Sequence, residues 1–343
     1  MRQMNVAVVG ATGAVGTKII EKLIERKFPI KSLKLLASKR SAGSTIQING
    51  EDYVVEETSE TAFEGIDIAF FSAGGSITEH FAKHAIEAGA LVIDNTSAFR
   101  MTEGVPLVVP EVNPDAIREH NGLIANPNCS TIQMVAALKG VKDQFGINRL
   151  IVSTYQAVSG AGADAIEELK QQSENFENRV DNKADILPSG SAEKHYPIAF
   201  NVLPQIDLFG EGDYTLEELK MMNETRKIFD DYEMSVAATC VRLPVVTGHS
   251  ESVYIELDRD DVTVDQLKEA IRSVPNVVLQ DDPSQQLYPM PLFAEGTDEV
   301  FVGRVRKDRD KKNGFHLWIV ADNLIKGAAL NSVQIAETYL EQQ

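Results

Sequence analysis

The stretch near the N-terminus restricts the fold most, because it combines a buried strand, a glycine turn and a helix. The apolar run at residues 5–9 is typical of a strand that is covered on both faces of a parallel sheet. Residues 10–16 then carry glycines in the spacing G-x-x-G-x-x-G, and the following residues up to Lys27 have the period of an amphipathic helix. This order brings backbone N–H groups to where a pyrophosphate binds. The stretch predicts a dinucleotide site, and the alternative is a tight turn without a ligand.

The residues after the second predicted strand, 33–37, indicate which dinucleotide is bound. A site for NAD would carry a carboxylate here, which binds the ribose 2′-hydroxyl. The chain instead has Ser38, Arg40 and Ser41, whose hydroxyls and cation suit a 2′-phosphate. NADP is therefore the predicted cofactor. Small residues that let a ligand pass close to the backbone follow a later strand, at Ser72, Ala73 and Gly74.

The order of predicted elements indicates two kinds of sheet. Up to about residue 125 strands and helices alternate, which predicts an α/β domain with a doubly wound, mostly parallel sheet of the Rossmann type. From residue 148 long strands follow with few helices between them, which predicts an α+β domain with a mostly antiparallel sheet. A last helix, at about 324–340, is expected to return to the first domain. Residues 181–213 are predicted to be a long loop that reaches a second subunit.

Composition excludes several classes of partner. The formal net charge is −18 and Lys and Arg form no cluster, so nucleic acid and anionic membranes are not expected partners. No apolar run approaches the roughly 18 residues of a membrane span, and the start does not resemble a signal peptide. The chain has two cysteines, Cys129 and Cys240, which fits a reducing compartment. The expected location is the cytoplasm.

Cys129 stands where a polar loop meets an apolar helix. Residues 126–131 read Asn-Pro-Asn-Cys-Ser-Thr, and an apolar stretch follows at once. Ser130 and Thr131 are good first residues of a helix, because their hydroxyls accept hydrogen bonds from the first backbone N–H groups. The positive end of the helix would stabilise a thiolate, which makes Cys129 a candidate nucleophile. On this stretch alone, a buried and inert thiol is an equal alternative.

His249 is the candidate acid/base. It follows a predicted strand that carries Arg242, and it lies next to Gly248. An imidazole can take a proton from a thiol and later return one to a substrate oxygen, although a structural histidine is the alternative. His80 and His84, four residues apart on one predicted helix, have the spacing of metal ligands. The sequence suggests no third ligand beside them, so we predict no metal site.

Six blocks of the chain resemble aspartate-β-semialdehyde dehydrogenases in order and spacing. They cover residues 10–16, 94–100, 126–131, 154–162, 217–220 and 242–249. The resemblance implies an NADP-dependent, phosphorylating aldehyde dehydrogenase. It would interconvert L-aspartate 4-semialdehyde, phosphate and NADP⁺ with 4-aspartyl phosphate and NADPH, through a cysteine acyl-thioester. The family works in the biosynthesis of lysine by way of diaminopimelate, and of methionine and threonine.

The resemblance also implies a role for each matched residue. Cys129 would be the nucleophile, His249 the acid/base, and Gln156 the residue that orients the intermediate. The implied substrate-binding residues are Arg242 for the α-carboxylate, Glu217 for the α-ammonium, and Arg100, Lys220 and Asn128 for phosphate. The implied cofactor contacts are Gly10, Thr12, Gly13, Ala14, Val15, Ser38, Arg40, Ser41, Ser72, Ala73, Gly74, Ser159, Gly160 and Asn323.

On this basis the chain divides into two predicted domains. Residues 1–127 together with 324–343 would form the NADP-binding domain, and residues 128–323 the catalytic and dimerisation domain. The resemblance implies a homodimer or a homotetramer.

Three alternatives stay open. N-acetyl-γ-glutamyl-phosphate reductase shares the chemistry, but its acylated substrate lacks the free α-ammonium that Glu217 would bind. Glyceraldehyde-3-phosphate dehydrogenase fits less well, because Cys129 and His249 lie far apart in the chain and the cofactor loop favours NADP. A non-catalytic, dinucleotide-binding regulatory homologue would be expected to lack Cys129, His249 or Arg242, and all three are present.

Overall fold

The computed structural model describes residues 2–343. The chain divides into two compact units. The first comprises the chain up to Asn128 together with Ala328–Gln343, and the second is Cys129–Gly327. The domain boundaries predicted from the sequence lie close to these, after residues 127 and 323.

A seven-stranded sheet is the centre of the first unit. The elements are β1 Met4–Val9, α1 Ala14–Glu25, β2 Ile30–Ala37, β3 Thr45–Ile48, β4 Glu51–Glu57, β5 Ile68–Phe71, α2 Gly75–Glu87, β6 Leu91–Asp94, the 3-10 helix Pro114–Glu119, and β7 Leu123–Ala125. The strand order is β3-β4-β2-β1-β5-β6-β7, and all neighbours are parallel except β3 and β4. These two strands form a hairpin whose turn residues, Asn49 and Gly50, have φ of 51° and 84°. Asn-Gly is favoured in such turns because both residues tolerate a positive φ.

The side chains of β1 alternate between two hydrophobic cores, one on each face of this sheet. Val6 and Val8 pack in a core that includes residues of α1, whereas Ala7 and Val9 pack in a core that includes residues of α2. Because both faces are buried, the strand is a continuous apolar run rather than an alternating one. The predicted doubly wound, Rossmann-type sheet is confirmed.

A six-stranded mixed sheet is the centre of the second unit. The elements are α3 Cys129–Phe145, β8 Arg149–Gln156, α4 Ala163–Glu174, α5 Leu216–Ile228, β9 Ser235–Arg242, β10 His249–Glu256, α6 Val264–Arg272, β11 Val277–Leu279, α7 Pro291–Ala294, β12 Val300–Lys307 and β13 Gly314–Ala321. Single 3-10 turns occupy Val158–Ala161, Arg179–Asp181, Glu211–Asp213 and Pro283–Gln285. The strand order is β11-β12-β13-β10-β8-β9, antiparallel in the centre and parallel in the two outermost pairs.

The mostly antiparallel second sheet is therefore confirmed, with two differences in detail. β10 begins at His249 itself, a start that the local sequence pattern does not predict, because the chain pairs with β13 from that residue onward. The short elements β11 and α7 are not predicted, since three or four residues are too few to show a period. Residues 181–213 contain 3-10 turns and isolated bridges at Leu203 and Phe209 but no α-helix or strand, as expected of a loop, and their contact with a second subunit stays a prediction.

The chain ends in a helix that belongs to the first unit. A π-helical segment, Ile325–Ala329, continues into α8, Leu330–Glu341. Val333, Ile335 and Ala336 of α8 lie in the same hydrophobic core as Val6 and Val8 of β1, so the predicted return of the last helix to the first domain is confirmed. Of the helices in residues 2–343, none combines the length and the apolar character that a membrane crossing requires.

Candidate active site

Cys129 is the first residue of α3 and is half-buried. The peptide dipoles of the helix place partial positive charge at this end, which stabilises a thiolate. Gly327 lies directly against the cysteine, because a Cβ atom on Gly327 would be 2.8 Å from the Cβ atom of Cys129. Gly327 was not predicted as a site residue, and its lack of a side chain is what gives Cys129 its space.

Gly327→Ala is expected to displace Cys129 from the start of α3. Loss of part of the helix-end stabilisation should slow alkylation of the thiol by iodoacetamide about threefold. Gly190 provides a matched control, since a Cβ atom there would meet nothing within 4 Å. Gly190→Ala should therefore react at the wild-type rate. Equal rates for wild type and Gly327→Ala would show that Cys129 does not depend on this contact.

His249 is fully buried at the start of β10. The backbone N–H of Ala157 donates a hydrogen bond to its Nδ1 at 3.1 Å. Because Nδ1 accepts, the imidazole is neutral and carries its proton on Nε2. Burial, followed by the charge of Arg242, lowers the pKa of His249 to about 3, and Glu217 opposes this only in part. His249 is thus a neutral donor at pH 7.

Gly160 lies beside the Nε2 atom of His249. A Cβ atom on Gly160 would be 3.5 Å from His249 Nε2 and 3.0 Å from Arg242 Nη1. Within the described part of the chain, His249 Nε2 has no hydrogen-bond partner. The proton on Nε2 therefore lies next to a stretch of backbone that carries no side chain.

Arg242 is the last residue of β9 and only 4% of it is exposed. Its Nη1 donates to the carbonyl oxygen of Ala157 at 2.6 Å, while no residue in 2–343 accepts from its Nε. Burial lowers the pKa of Arg242, and Glu217, Cys129, Cys240 and Asp207 oppose this in decreasing order. A guanidinium stays protonated even so. A buried cation with an unused N–H group is suited to binding a carboxylate.

Glu217 is buried, and its carboxylate contacts the side chains of Gln156 and Lys220. Gln156, the last residue of β8, donates from its amide to Glu217 at 3.1 Å. Lys220, on the same face of α5, pairs with Glu217 at 3.4 Å and with Asp207 at 3.0 Å. Asp207 was not predicted; it lies in the irregular segment 181–213, where sequence offers no period to follow. Together with Arg242 these residues provide both signs of charge in the second unit.

Asn323 connects the predicted cofactor residue Ser159 to the residue before His249. Its Oδ1 accepts from the backbone N–H of Gly248 at 2.9 Å, and its Nδ2 donates to Ser159 Oγ at 3.0 Å. Gly248 has a φ of 91°, and a Cβ atom there would be 2.9 Å from Pro291. Asn323 therefore fixes two loops that border His249, a contribution that the sequence does not reveal.

The predicted dinucleotide turn of the first unit has the required geometry. Gly10 has a φ of 86°, and a Cβ atom there would lie 2.9 Å from the backbone nitrogen of Ala73. Gly13 is the N-cap of α1, and its N–H donates to the carbonyl of Gly10 at 2.9 Å. Ser72 donates to the carbonyl of Val9 at 3.1 Å. The remaining predicted residues of these turns, Thr12, Ala14, Val15 and Gly74, are exposed or half-buried. The turn thus presents the start of α1 to an anion.

Ser38, Arg40 and Ser41 form a turn after β2. The N–H of Ser41 donates to the carbonyl of Ser38 at 2.9 Å. Arg40 is exposed, and no ion pair of its guanidinium is found in residues 2–343. The hydroxyls and the cation of this turn fit a phosphate on the ribose, and residues 38–41 include no carboxylate to accept from a ribose 2′-hydroxyl.

Arg100 and Asn128 are buried in the first unit. Arg100 Nε donates to the carbonyl of Asn126 and its Nη2 to the carbonyl of Asn95, both at 2.9 Å. Burial raises the pKa of Asp94, while Thr96 and then Arg100 lower it. Arg100 is therefore buried and held by backbone carbonyls. Its role with phosphate, like that of Asn128, stays a prediction.

His80 and His84 have a neighbour that the sequence does not show. Glu60 Oε1 lies 3.6 Å from His80 Nε2 and 3.5 Å from His84 Nε2. The three ligand atoms lie within 4.8 Å of one another, and Glu60 and His80 are exposed. Glu60 therefore lies within ion-pair distance of both imidazoles, and the prediction of no metal site stays a prediction.

Comparison with known proteins follows the same division of the chain. Residues 5–120 match the family model described as semialdehyde dehydrogenase, NAD binding domain, and residues 138–326 match semialdehyde dehydrogenase, dimerisation domain. An aspartate-semialdehyde dehydrogenase of Bacillus subtilis (strain 168) is 59% identical over 98% of this chain and 97% of its own. One from Aquifex aeolicus (strain VF5) is 51% identical over 98% of both chains.

Solved structures of the same name share the fold. Aspartate semialdehyde dehydrogenase II of Vibrio cholerae, complexed with ASA, has a TM-score of 0.93 and 45% identity over 99% of both chains. The Candida albicans aspartate semialdehyde dehydrogenase with NADP has a TM-score of 0.73 and 27% identity over 98% of both chains. These similarities cover nearly the whole chain and agree with the six sequence blocks. The chain belongs to the aspartate-semialdehyde dehydrogenase family.

Proposed function

We propose that this chain is an NADP-dependent, phosphorylating dehydrogenase of L-aspartate 4-semialdehyde. It interconverts the aldehyde, phosphate and NADP⁺ with 4-aspartyl phosphate and NADPH, as the names of its relatives suggest. The observation that carries the proposal is the buried arrangement of Arg242 and Glu217 around a neutral His249 in the unit that begins with Cys129.

Arg242 and Glu217 suit the two charged groups of an α-amino acid. The unused Nε of Arg242 is the donor for the α-carboxylate, and the buried carboxylate of Glu217 is the acceptor for the α-ammonium. Gln156 hydrogen-bonds Glu217 and so fixes its position. An acylated amino group carries no positive charge and would gain no attraction from Glu217, which favours aspartate semialdehyde over the N-acetyl-γ-glutamyl substrate.

Cys129 is the proposed nucleophile. Its thiolate adds to the aldehyde carbon, and the carbonyl oxygen becomes an alkoxide. Loss of hydride from that carbon gives the acyl-thioester, and phosphate then attacks the thioester, forms the acyl phosphate and releases the thiolate. Bound NADP supplies the hydride acceptor. The thiolate is regenerated, and the one proton that these steps release comes from hydrogen phosphate, HPO₄²⁻, when its oxygen is acylated.

His249 is the proposed donor to the alkoxide. Its Nδ1 accepts from Ala157, so Nε2 carries a proton and can donate to an oxyanion next to Gly160. A neutral imidazole in a buried site stabilises developing negative charge without giving up its proton. This narrows the acid/base role that the resemblance implies: we propose that His249 acts as a donor, and that it becomes a base only if the hydrogen bond from Ala157 breaks.

NADP is the proposed cofactor, with Arg40, Ser38 and Ser41 on the 2′-phosphate and the turn from Gly10 to Val15 on the pyrophosphate. The described turn, closed by Gly10 and Ala73 and opening on the start of α1, fits such a group. Contacts of Ser159, Gly160 and Asn323 with the cofactor, and of Arg100, Asn128 and Lys220 with phosphate, stay predictions from the resemblance.

Arg40→Ala should raise the KM for NADP about tenfold or more, because a charge-assisted hydrogen bond is lost. The KM for NAD, which has no 2′-phosphate, should stay nearly the same. Lys31→Ala is the control, since it removes an equal charge from another exposed position of the first unit. Equal increases for NADP and NAD would contradict the assignment of Arg40 to the 2′-phosphate.

We also propose that the chain acts as a homodimer or homotetramer in the cytoplasm. The description of one matching family model as a dimerisation domain supports a dimer. The two free cysteines fit a reducing compartment such as the cytoplasm. Light scattering of the purified protein would give the number of subunits.

An assay of phosphate-dependent NADP reduction tests the function. Aspartate semialdehyde and N-acetylglutamate semialdehyde are compared under the same conditions, each with and without phosphate. We expect steady turnover only with aspartate semialdehyde, phosphate and NADP together. Preference for the N-acetylated aldehyde would favour the reductase alternative, and no turnover with either aldehyde would favour a non-catalytic protein.

A further inference from the structure

A carboxyl group close to His249 has no part in the steps above. Glu251 lies two residues after His249 in β10, and alternate residues of a strand share a face of the sheet. Its side chain is 0% exposed, and in residues 2–343 neither of its oxygens has a hydrogen-bond partner of good geometry. An ionised carboxylate left in this state is strongly unfavourable, so its presence calls for a physical reason.

The neighbours of Glu251 provide no positive charge. Thr154 of β8 and Ile319 of β13 lie opposite it in the sheet, and the thiol of Cys240 in β9 is close enough to feel its charge. Burial raises the pKa of Glu251 well above its ordinary value, and Gln133 of α3 opposes this only in part. Because both oxygens are fully buried without a cation beside them, the neutral carboxylic acid, which has one O–H donor, is the favoured form of this group.

Gln133 is the side chain that can accept from that donor. It is fully buried in α3, one turn after Cys129. Its Nε2 donates to the backbone carbonyl of His249 at 3.3 Å. In the described chain its Oε1 has no partner. One hydrogen bond, from the protonated oxygen of Glu251 to Oε1 of Gln133, would thus give a partner to both buried atoms.

We propose that Glu251 is a positioning residue whose carboxylic acid donates to Gln133, which in turn holds the backbone of His249. The pair joins the helix that begins at Cys129 to the strand that begins at His249. It therefore fixes the position of Cys129, the proposed nucleophile, relative to His249, the proposed donor to the alkoxide. This inference rests on the proposed function, because it assigns a purpose to the alignment of those two residues.

Variants of Glu251 in the full-length protein test the proposal. Glu251→Met removes the donor at similar volume, so kcat should fall about tenfold through misalignment. KM for aspartate semialdehyde should change less than about twofold, because Arg242 and Glu217 are untouched. Glu251→Gln keeps a neutral N–H donor for Gln133, and its kcat should stay within about twofold of wild type.

Two further variants separate positioning from general loss of stability. Val253→Ala removes buried atoms from the same face of β10, farther from His249, and should lower the melting temperature without lowering kcat about tenfold. Gln133→Met should lower kcat as much as Glu251→Met does, and the double variant should lose no more than either, since both remove one connection. Should Glu251→Met fail to fold, Glu251→Gln and Gln133→Met carry the test.

The outcomes distinguish this inference from the proposed function. An inactive wild type rejects the function itself. An active wild type with an unchanged kcat in Glu251→Met or Gln133→Met rejects only the positioning role. Equal losses in Glu251→Gln and Glu251→Met, or losses that add in the double variant, also overturn it.

Discussion

Replacing Cys129 by alanine should abolish turnover of aspartate semialdehyde while NADPH still binds. Without the thiolate no covalent intermediate forms, and removing a catalytic nucleophile costs on the order of a millionfold in kcat. The predicted cofactor turn lies in the first unit and does not include Cys129, so the dissociation constant for NADPH should change less than about twofold. Steady-state turnover and NADPH fluorescence titration measure the two quantities.

Cys240 offers a matched control for this variant. It is the only other cysteine, it is fully buried in β9, and burial followed by the charge of Glu217 raises the pKa of its thiol. Such a thiol is inert. Cys240→Ala should retain most of the wild-type kcat and lose some stability. Retention of more than about a tenth of wild-type turnover by Cys129→Ala would remove Cys129 from its role.

Replacing His249 by alanine should lower kcat about 100-fold or more. This is the usual cost of removing one donor to an oxyanion. KM for aspartate semialdehyde should change much less, because Arg242 and Glu217 are the residues proposed to bind the charged groups in the ground state. A matched control is His316→Ala, since His316 lies in β13 and is partly exposed. A loss of kcat below about threefold in His249→Ala would contradict the donor role.

The same variant has an effect on stability that does not depend on activity. The pKa of His249 is about 3 in the folded protein, below its ordinary 6.5. Between these values the unfolded chain binds a proton at His249 that the folded chain does not bind. The free energy of unfolding should therefore fall as pH decreases through this window. In His249→Ala this contribution is absent, so urea unfolding at about pH 7 and about pH 4.5 should show a smaller difference than in wild type.

The sequence predicts those parts of the fold that depend on local pattern. Residues 6–9 show a strand buried on both faces because all four side chains are apolar. The hairpin at Asn49-Gly50 and the helix that begins at Cys129 follow from turn chemistry and helix-start residues in the same way. The start of β10 at His249 is not predicted, since pairing with β13 and not local pattern extends the strand.

The parts of the site that the sequence misses depend on contacts across the fold. Asp207 lies in an irregular segment, and only its ion pair with Lys220 identifies it as part of the site. Gly327 matters because Cys129 packs against it, and Glu251 because Gln133 covers it. The neutral state of His249 is likewise a consequence of burial and of the N–H of Ala157. Residue types and spacing carry none of this information.

Trapping the acyl-enzyme tests the central claim most directly. The protein is mixed with aspartate semialdehyde and NADP⁺ in the absence of phosphate, and NADPH formation and the mass of the peptide containing Cys129 are followed. We predict about one NADPH per active site, an aspartyl group on Cys129, and release of that group as 4-aspartyl phosphate when phosphate is added. No NADPH before phosphate is added, or an aspartyl group on any residue other than Cys129, would contradict the account.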